Sequence, residues 1–221
     1  MNAANADLLN RLARLDTCAV SDALDHHKLT GATIGIRPLW PCGKIVGRAM
    51  TVKVGPTRGA PAPHLATPAI EAASAGDIIV IDNAGRTDVS SWGDILSNAC
   101  KTKGLAGVVI DGACRDIDGS RDAAFPVYGR AVVPVTARGR IVQESFNEPV
   151  AFAGVTVRPG DLVIADGSGV VFVDQGRAEE VIATAERLAA RESAMIAAVR
   201  EGRSVVEVMH DRSFDAALKG S

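Results

Sequence analysis

Hydrophobic and polar positions alternate along the chain in a pattern that predicts helices near both of its ends. An opening amphipathic helix is predicted by four leucines at helical spacing: Leu8, Leu9, Leu12 and Leu15. Asp16 or Thr17 is suited to cap a second helix that continues through Leu24. A long amphipathic helix is predicted at 177–200, and the residues from 205 onward are predicted to form a tail with helical character.

Between these helices the pattern predicts strands that are separated by turns and short helices. A strand at 77–82, a helix at 91–103 closed by Gly104, and a strand at 108–111 together form a strand–helix–strand unit. Segment 55–63 carries three prolines and is predicted to be a loop. The other predicted elements are a helix from Thr67-Pro68 to Gly76 and strands at 44–54, 131–136, 141–145, 150–157, 162–165 and 170–173. The sequence therefore predicts one mixed α/β domain with more than one sheet layer.

The composition of the 221-residue chain narrows its possible functions. Hydrophobic residues make up 47% of the chain but aromatic residues only 4%, which suits sheets covered by helices. The net charge is −2 and the basic residues are scattered, so we expect small molecules and further copies of the chain as partners, and no nucleic acid. No apolar run approaches the roughly 20 residues that span a bilayer, and no signal segment opens the chain. Four cysteines without CxxC spacing indicate free thiols, so we expect a cytoplasmic protein without membrane contact.

Asp94 falls at the predicted start of the helix 91–103, directly after Gly93. The first amides of a helix lack partners within the helix and carry the positive end of its dipole. A substrate carboxylate could therefore rest on the amides of residues 93–96. In the alternative interpretation, Ser91 or Asp94 caps the helix and nothing binds there.

Arg115 and Asp116 follow the predicted strand 108–111, at the carboxyl end where ligands of α/β sheets usually sit, and Asp111 precedes them. Arg115 offers a planar fork of donors for a carboxylate or a developing enolate oxygen. Asp116 offers oxygen ligands for Mg²⁺. The alternative is a surface salt bridge in an acidic loop, because three more charged residues follow: Asp118, Arg121 and Asp122.

Glu192 is predicted to lie near the centre of the apolar stripe of the helix 177–200. Burying a carboxylate without a partner is costly. We therefore expect either that Glu192 meets a cation or metal-bound water, including on a neighbouring subunit, or that this end of the helix is exposed.

Two blocks of the sequence resemble the RraA-like family. The first comprises residues 92–96 (WGDIL), 104–112 (GLAGVVIDG) and the pair Arg115-Asp116, and the second comprises 154–166 with 169–171. Twenty residues separate Asp94 from Arg115, which is similar to the spacing in the aldolase members of the family. Those members are the 4-hydroxy-4-methyl-2-oxoglutarate / 4-carboxy-4-hydroxy-2-oxoadipate aldolases, and the family also contains the regulator of ribonuclease activity A. The resemblance covers about residues 15–200 of a single domain and leaves the tail 201–221 unmatched.

The resemblance implies a β/β/α layered "swivelling" fold with helices at both ends. It also implies assembly as trimers or hexamers with the active site at the subunit interface. The implied activity is that of a class II pyruvate aldolase, which requires Mg²⁺ or Mn²⁺, cleaves a small 2-oxo acid and also decarboxylates oxaloacetate.

Roles follow from the resemblance residue by residue. The amides for the substrate carboxylate are those of Gly93, Asp94, Ile95 and Leu96. Arg115 would bind the 2-oxo group and stabilise the enolate, and Asp116 would hold the metal. Asp94 would orient Arg115 or metal-bound water. Glu192 matches a glutamate that the neighbouring subunit lends.

Two other functions stay open. One is a non-catalytic regulator that binds an RNA-degrading enzyme, and the other is a related lyase or decarboxylase for a different 2-oxo acid. Relatives that inhibit ribonucleases typically lack the aspartate at position 94, so Asp94 favours the enzyme. Some family members carry an acidic residue three positions after the aspartate of the Arg-Asp pair. That position is Gly119 in this chain, and the sequence assigns it no role.

Overall fold

The computed structural model describes residues 3–57 and 64–209 of the chain. The helices are α1 Ala3–Leu12, α2 Thr17–His26, α3 Thr67–Ala72, α4 Asp94–Lys103, α5 Ile117–Asp122, α6 Ala178–Arg200 and α7 Val205–Val208. The strands are β1 Arg37–Pro38, β2 Ile45–Pro56, β3 Ile78–Ser90, β4 Gly107–Cys114, β5 Val127–Gly129, β6 Ala131–Val132, β7 Ile141–Phe146, β8 Val150–Phe152, β9 Val155–Val157, β10 Leu162–Asp166 and β11 Gly169–Val173. Most of the predicted loop 55–63, and the predicted tail beyond 209, lie outside the described residues.

One large sheet carries the fold, with its strands in the order β1-β5-β4-β3-β2-β10-β11, β6 beside β4 and β7 beside β2. Strands β2, β3, β4 and β5 pair in parallel, whereas β10 and β11 join the sheet antiparallel. The predicted unit β3–α4–β4 is confirmed, because β3 and β4 are parallel neighbours. The carboxyl ends of β3 and β4 therefore lie at the same edge of the sheet.

Three apolar clusters cover this sheet in layers. The hairpin β8–β9 packs on one face, where the rings of Phe152 and Phe172 meet edge to face at 5.1 Å. Helices α3 and α4 cover the other face, with Leu96 and Ile110 in one cluster. Helices α1, α2 and α6 cover β10 and β11 in a third cluster that includes Leu12. The predicted mixed α/β domain with β/β/α layers and helices at both ends is confirmed.

Some element boundaries differ from the prediction for local reasons. Strand β3 continues to Ser90 instead of ending at 82, because two register shifts let it bulge against β4. The predicted strand 150–157 is two strands, β8 and β9, since Ala153 and Gly154 both take positive φ and turn the chain. Strands β1 and β5 and helix α5 were not predicted, and each is too short to show a period.

Helix α6 is buried along only half of its 23 residues. Its buried positions end at Leu188, and Glu192 is exposed in the single chain, as expected for an exposed helix end or for a residue that meets a neighbouring subunit. The apolar stripe continues past the sheet, where exposed Ile196 and Val199 lie on it. Among the described residues, no helix is both long and apolar enough to span a membrane.

Candidate active site

The loop between β3 and α4 lies against the end of β4. The amide of Ser91 donates to the carbonyl of Ala113 at 2.9 Å, and the amide of Arg115 donates to the carbonyl of Trp92 at 2.9 Å. Gly93 then passes so close to Asp116 that a Cβ at position 93 would come within 2.9 Å of Asp116 Oδ2. A side chain at position 93 would therefore displace the Asp116 carboxylate, and the two halves of the predicted motif touch one another.

Arg115 and Asp116 form an ion pair at the mouth of this junction. Arg115 Nε lies 3.0 Å from Asp116 Oδ2, and the two side chains keep 39% and 38% of their surface exposed. Asp116 takes φ +53° and ψ +41°, a left-handed conformation that aspartate tolerates better than most residues. It stands at the N-terminus of α5 without capping it through its side chain, so its carboxylate remains available to a ligand.

Helix α4 begins with amides that no side chain caps. Gly93 is the N-cap residue, Asp94 is the first residue of the helix, and there is no side-chain cap hydrogen bond. The alternative in which Ser91 or Asp94 caps the helix is therefore wrong. Ser91 Oγ lies 3.4 Å from the carbonyl of Ala113. The amides at this positive end of the helix are suited to an anion.

These groups share one cavity of about 370 Å³. The structure brings together six of the predicted site residues as lining of this cavity: Gly93, Asp94, Ile95, Leu96, Arg115 and Asp116. Its size lies in the range of small-molecule sites. Glu192 lines a different groove of the same chain, with Cys18 and Met195, so the structure does not place it with the others.

Asp111 does not belong to the site, although the sequence grouped it with Arg115 and Asp116. It lies inside β4 and its side chain is 7% exposed. Its carboxylate accepts hydrogen bonds from Arg130 Nε at 2.5 Å and from the amide of Ala153 at 2.9 Å. Asp111 therefore joins β4 to the β8–β9 turn and serves the fold.

A buried row of hydroxyl groups holds the site from behind. Trp92 Nε1 donates to Ser97 Oγ at 2.8 Å, and Ser97 Oγ lies 2.8 Å from Ser120 Oγ. Both serines are fully buried, and Ser120 Oγ is 3.5 Å from the carbonyl of Asp116. The row links the loop before α4 to the first turn of α5, so it fixes Gly93 and Asp116 relative to each other.

Two further basic residues line the cavity, and sequence reasoning did not select them. His64 lies shortly before α3, and Arg138 lies in the turn before β7. Neither has a sequence signal, because each is a single polar residue in a loop and the distance to Arg115 along the chain is large. The pairing of β2 with β7 brings the turn that carries Arg138 to this cavity.

The donor set suits a hydrated divalent cation. Within residues 3–57 and 64–209, no group of three His, Cys, Asp or Glu side chains gathers into a cage for a metal ion. Mg²⁺ usually binds through one or two carboxylates and keeps several waters. The half-exposed Asp116, with Asp94 lining the same cavity, matches that requirement.

Known proteins share both the sequence and the fold. A family model described as RraA-like, Aldolase/RraA, matches residues 17–172. A protein of Halalkalibacterium halodurans named "Putative 4-hydroxy-4-methyl-2-oxoglutarate aldolase" is 36% identical over 202 residues, which is 91% of this chain and 92% of that protein. Protein DlpA of Legionella pneumophila is 29% identical over 97% of this chain, but the chain spans only 35% of its length.

Solved structures agree with this assignment. An uncharacterized protein from Pseudomonas syringae has a TM-score of 0.84 at 33% identity, with 93% of this chain and 98% of that chain covered. Streptomyces coelicolor RraAS2, titled an unusual member of the RNase ES inhibitor RraA protein family, has a TM-score of 0.78 at 28% identity over 85% of this chain and 94% of that chain. The match of the family model over most of the chain, together with the fold it shares with these structures, shows that the chain belongs to the RraA-like family.

Proposed function

We propose that the chain is a divalent-metal-dependent pyruvate aldolase. Its substrate would be 4-hydroxy-4-methyl-2-oxoglutarate or 4-carboxy-4-hydroxy-2-oxoadipate, cleaved to pyruvate and a second oxo acid, with oxaloacetate decarboxylation as a further activity. The observation that carries the proposal is the junction of Arg115, Asp116 and the uncapped amides of α4 in one cavity. Relatives named as aldolases support a carbon–carbon lyase.

Each residue of the site has a role that follows from its chemistry. The amides of residues 93–96 bind the carboxylate of the pyruvoyl part, since they form the uncapped end of α4. Arg115 binds the 2-oxo oxygen with its donor fork. Asp116 holds Mg²⁺ or Mn²⁺, and when bound the cation supplies Lewis-acid stabilisation of negative charge. Asp94 would orient Arg115 or a metal-bound water.

Both reactions leave the same pyruvate enolate. In cleavage, an ordered water takes the proton of the 4-hydroxyl group, the oxygen forms the carbonyl of the second oxo acid, the C3–C4 bond breaks, and its electron pair goes to the enolate. Loss of CO₂ from oxaloacetate also leaves that electron pair on C3. Arg115 stabilises the oxyanion in both cases, and a proton then returns to C3.

Glu192 would complete the site from a neighbouring subunit. In its own chain it is exposed and, among the described residues, it makes no hydrogen bond or ion pair. The groove around it is largely apolar and includes exposed Ile196, Val199 and Met209. We propose that this groove packs against another copy in a trimer or hexamer and brings Glu192 to that copy's cavity.

A pyruvate-release assay tests the function. Chelator-treated protein is given the two aldol substrates and oxaloacetate, with and without Mg²⁺ or Mn²⁺. Arg115→Ala and Asp116→Ala should abolish release, whereas Arg121→Ala, an exposed arginine of α5, should retain it. Full activity in EDTA would contradict the metal requirement, and no release from any substrate would contradict the aldolase.

The second candidate is a regulator of a ribonuclease, favoured by the likeness to Streptomyces coelicolor RraAS2. A pull-down against a ribonuclease, run beside the oxaloacetate assay, separates the two functions. A third candidate is a related lyase for another 2-oxo acid, and a screen of 4-hydroxy-2-oxo acids would identify its substrate.

A further inference from the structure

The cavity has a second wall, which comes from segments distant in sequence from the motif residues. One wall comes from the junctions β3–α4 and β4–α5, which carry Asp94, Arg115 and Asp116. The other comes from the segment before α3, which carries His64, and from the turn before β7, which carries Arg138. The cavity therefore has a basic side chain in each wall, and the proposed function uses only one of the two arginines.

Among the residues that the structure describes, none uses the Arg138 side chain to hold the fold. Its turn is held by backbone groups: the amides of Arg140 and Ile141 donate to the carbonyl of Ala137 at 2.9 and 3.0 Å, and the amide of Thr57 donates to the carbonyl of Arg140 at 3.0 Å. Arg138 itself is exposed, and its guanidinium makes no hydrogen bond or ion pair with any residue that the structure describes. The guanidinium is therefore available to a ligand in the cavity.

The charges around the cavity indicate the charge of that ligand. Among the described residues that line it, Asp94 and Asp116 carry two negative charges, and Arg115 and Arg138 carry two positive charges, so the formal sum is zero apart from His64. A divalent cation held by Asp116 brings the sum to +2. A dianion balances that charge, whereas a monocarboxylate leaves it half compensated.

We propose that Arg138 binds the distal carboxylate of a dicarboxylic 2-oxo acid and so selects dicarboxylates over monocarboxylates. The inference rests on the proposed function, because it takes the pyruvoyl end of the ligand to lie at Arg115 and α4. An arginine pairs with a carboxylate through two parallel hydrogen bonds, which gives direction as well as attraction. The two arginines of the cavity then bind the two ends of one substrate.

A binding experiment tests this without turnover. The full chain with Mg²⁺ is titrated calorimetrically with 2-oxoglutarate and with 2-oxopentanoate, which has the same length but a methyl group in place of the distal carboxylate. Neither compound has a 4-hydroxyl group to cleave. Because hydrogen bonds to charged groups contribute about 1.5–3 kcal/mol, the wild-type chain should bind 2-oxoglutarate about 10- to 100-fold more tightly.

Arg138→Gln should abolish this preference and leave the binding of 2-oxopentanoate unchanged, and Arg138→Lys should restore part of it. Arg203→Gln removes an exposed positive charge elsewhere and should keep the full preference, which controls for net charge. A preference that survives Arg138→Gln, or is absent in the wild-type chain, overturns the proposal. A preference that depends on Arg138 without pyruvate release from any aldol substrate would support the carboxylate site and contradict only the aldolase.

Discussion

The side chain of Asp94 lies directly against the backbone of Gly119. A Cβ at position 119 would come within 2.7 Å of Asp94 Cβ and 2.8 Å of Asp94 Oδ2. Distances this short are not tolerated, and Cβ is not the movable end of a side chain. The glycine in the first half of α5 therefore provides the space in which the Asp94 carboxylate lies.

Gly119→Ala should lower catalysis by moving Asp94. Alanine favours a helix over glycine by about 0.5–1 kcal/mol, so the substitution should not weaken α5 itself. A misplacement of about 1 Å in an active site can cost about 100-fold, and we expect a loss of kcat/KM between about 10- and 100-fold. The measurement is pyruvate release, with the free energy of unfolding determined in parallel.

The substitution Gly119→Ala in the Asp94→Gly variant tests whether Gly119 acts through Asp94. Without a side chain at position 94, adding Gly119→Ala should cost no further activity, because the contact no longer exists. A loss of equal size in both backgrounds would mean that Gly119 acts on the fold of α5 and not through Asp94.

The hydroxyl row behind the site should depend more on Ser97 than on Ser120. Ser97→Ala removes the acceptor of Trp92 Nε1 and the neighbour of Ser120 Oγ, and both are buried. Leaving buried polar groups unsatisfied costs about 1–3 kcal/mol. The free energy of unfolding of Ser97→Ala, measured with urea, should therefore fall by about that amount. Ser120→Ala leaves the bond from Trp92 to Ser97 intact and should cost less.

Ser193→Ala is the matched control for these two variants, because its hydroxyl is exposed on α6 and bonds only to the carbonyl of Ala189 among the described residues. It should change the free energy of unfolding by less than about 0.5 kcal/mol. Equal effects from all three substitutions would refute the importance of the buried row.

Sequence reasoning found those site residues whose positions follow from the order of neighbouring strands and helices along the chain. Asp94 and the Arg115-Asp116 pair follow neighbouring parallel strands, so the strand–helix–strand pattern was enough to bring them together. It could not find Arg138, which reaches the cavity only through the antiparallel pairing of β7 with β2.

The different placement of Asp111 has a physical cause. Asp111 is in the middle of β4 because a register shift of β3 lengthens the pairing beyond the apolar run. Glu192 had two alternatives at the sequence level, because the apolar stripe of α6 does not show whether it runs past the end of the sheet, as it does. Periodicity reports which face of an element is apolar and not how far its neighbour extends.

The ion pair of Arg130 and Asp111 should be costly to break from one side. Arg130→Met leaves the Asp111 carboxylate buried with the Ala153 amide as its remaining described donor. Removing one partner of a buried pair typically costs about 3–5 kcal/mol. The free energy of unfolding of Arg130→Met, measured with urea, should fall by an amount near the lower value, because Arg130 is partly exposed.

The double variant Arg130→Met with Asp111→Asn separates the lost pair from lost packing. It removes the unpaired charge, so it should be more stable than Arg130→Met alone. If the double variant is less stable than the single one, the methionine itself and not the buried charge causes the loss.

The rates at which the cysteine thiols react should show whether the groove around Glu192 is covered. Burial raises the pKa of Cys100 to about 12, and burial with the nearby charge of Asp116 raises the pKa of Cys114 to about 12. At pH 8 only about one in ten thousand of such thiols is a thiolate, so both should resist a disulfide reagent until the chain unfolds. Cys18 is exposed in the isolated chain and lines the groove.

If a second copy packs on this groove, Cys18 should react slowly in the oligomer and faster after dilution to separated chains. The rate is followed with a chromogenic disulfide at pH 8, and the oligomeric state is determined at the same concentrations by size-exclusion chromatography with light scattering. A Cys18→Ser variant identifies the fast phase. Fast labelling of Cys18 within an intact trimer or hexamer would show that the groove is open, and Glu192 could not then reach a neighbouring cavity by that contact.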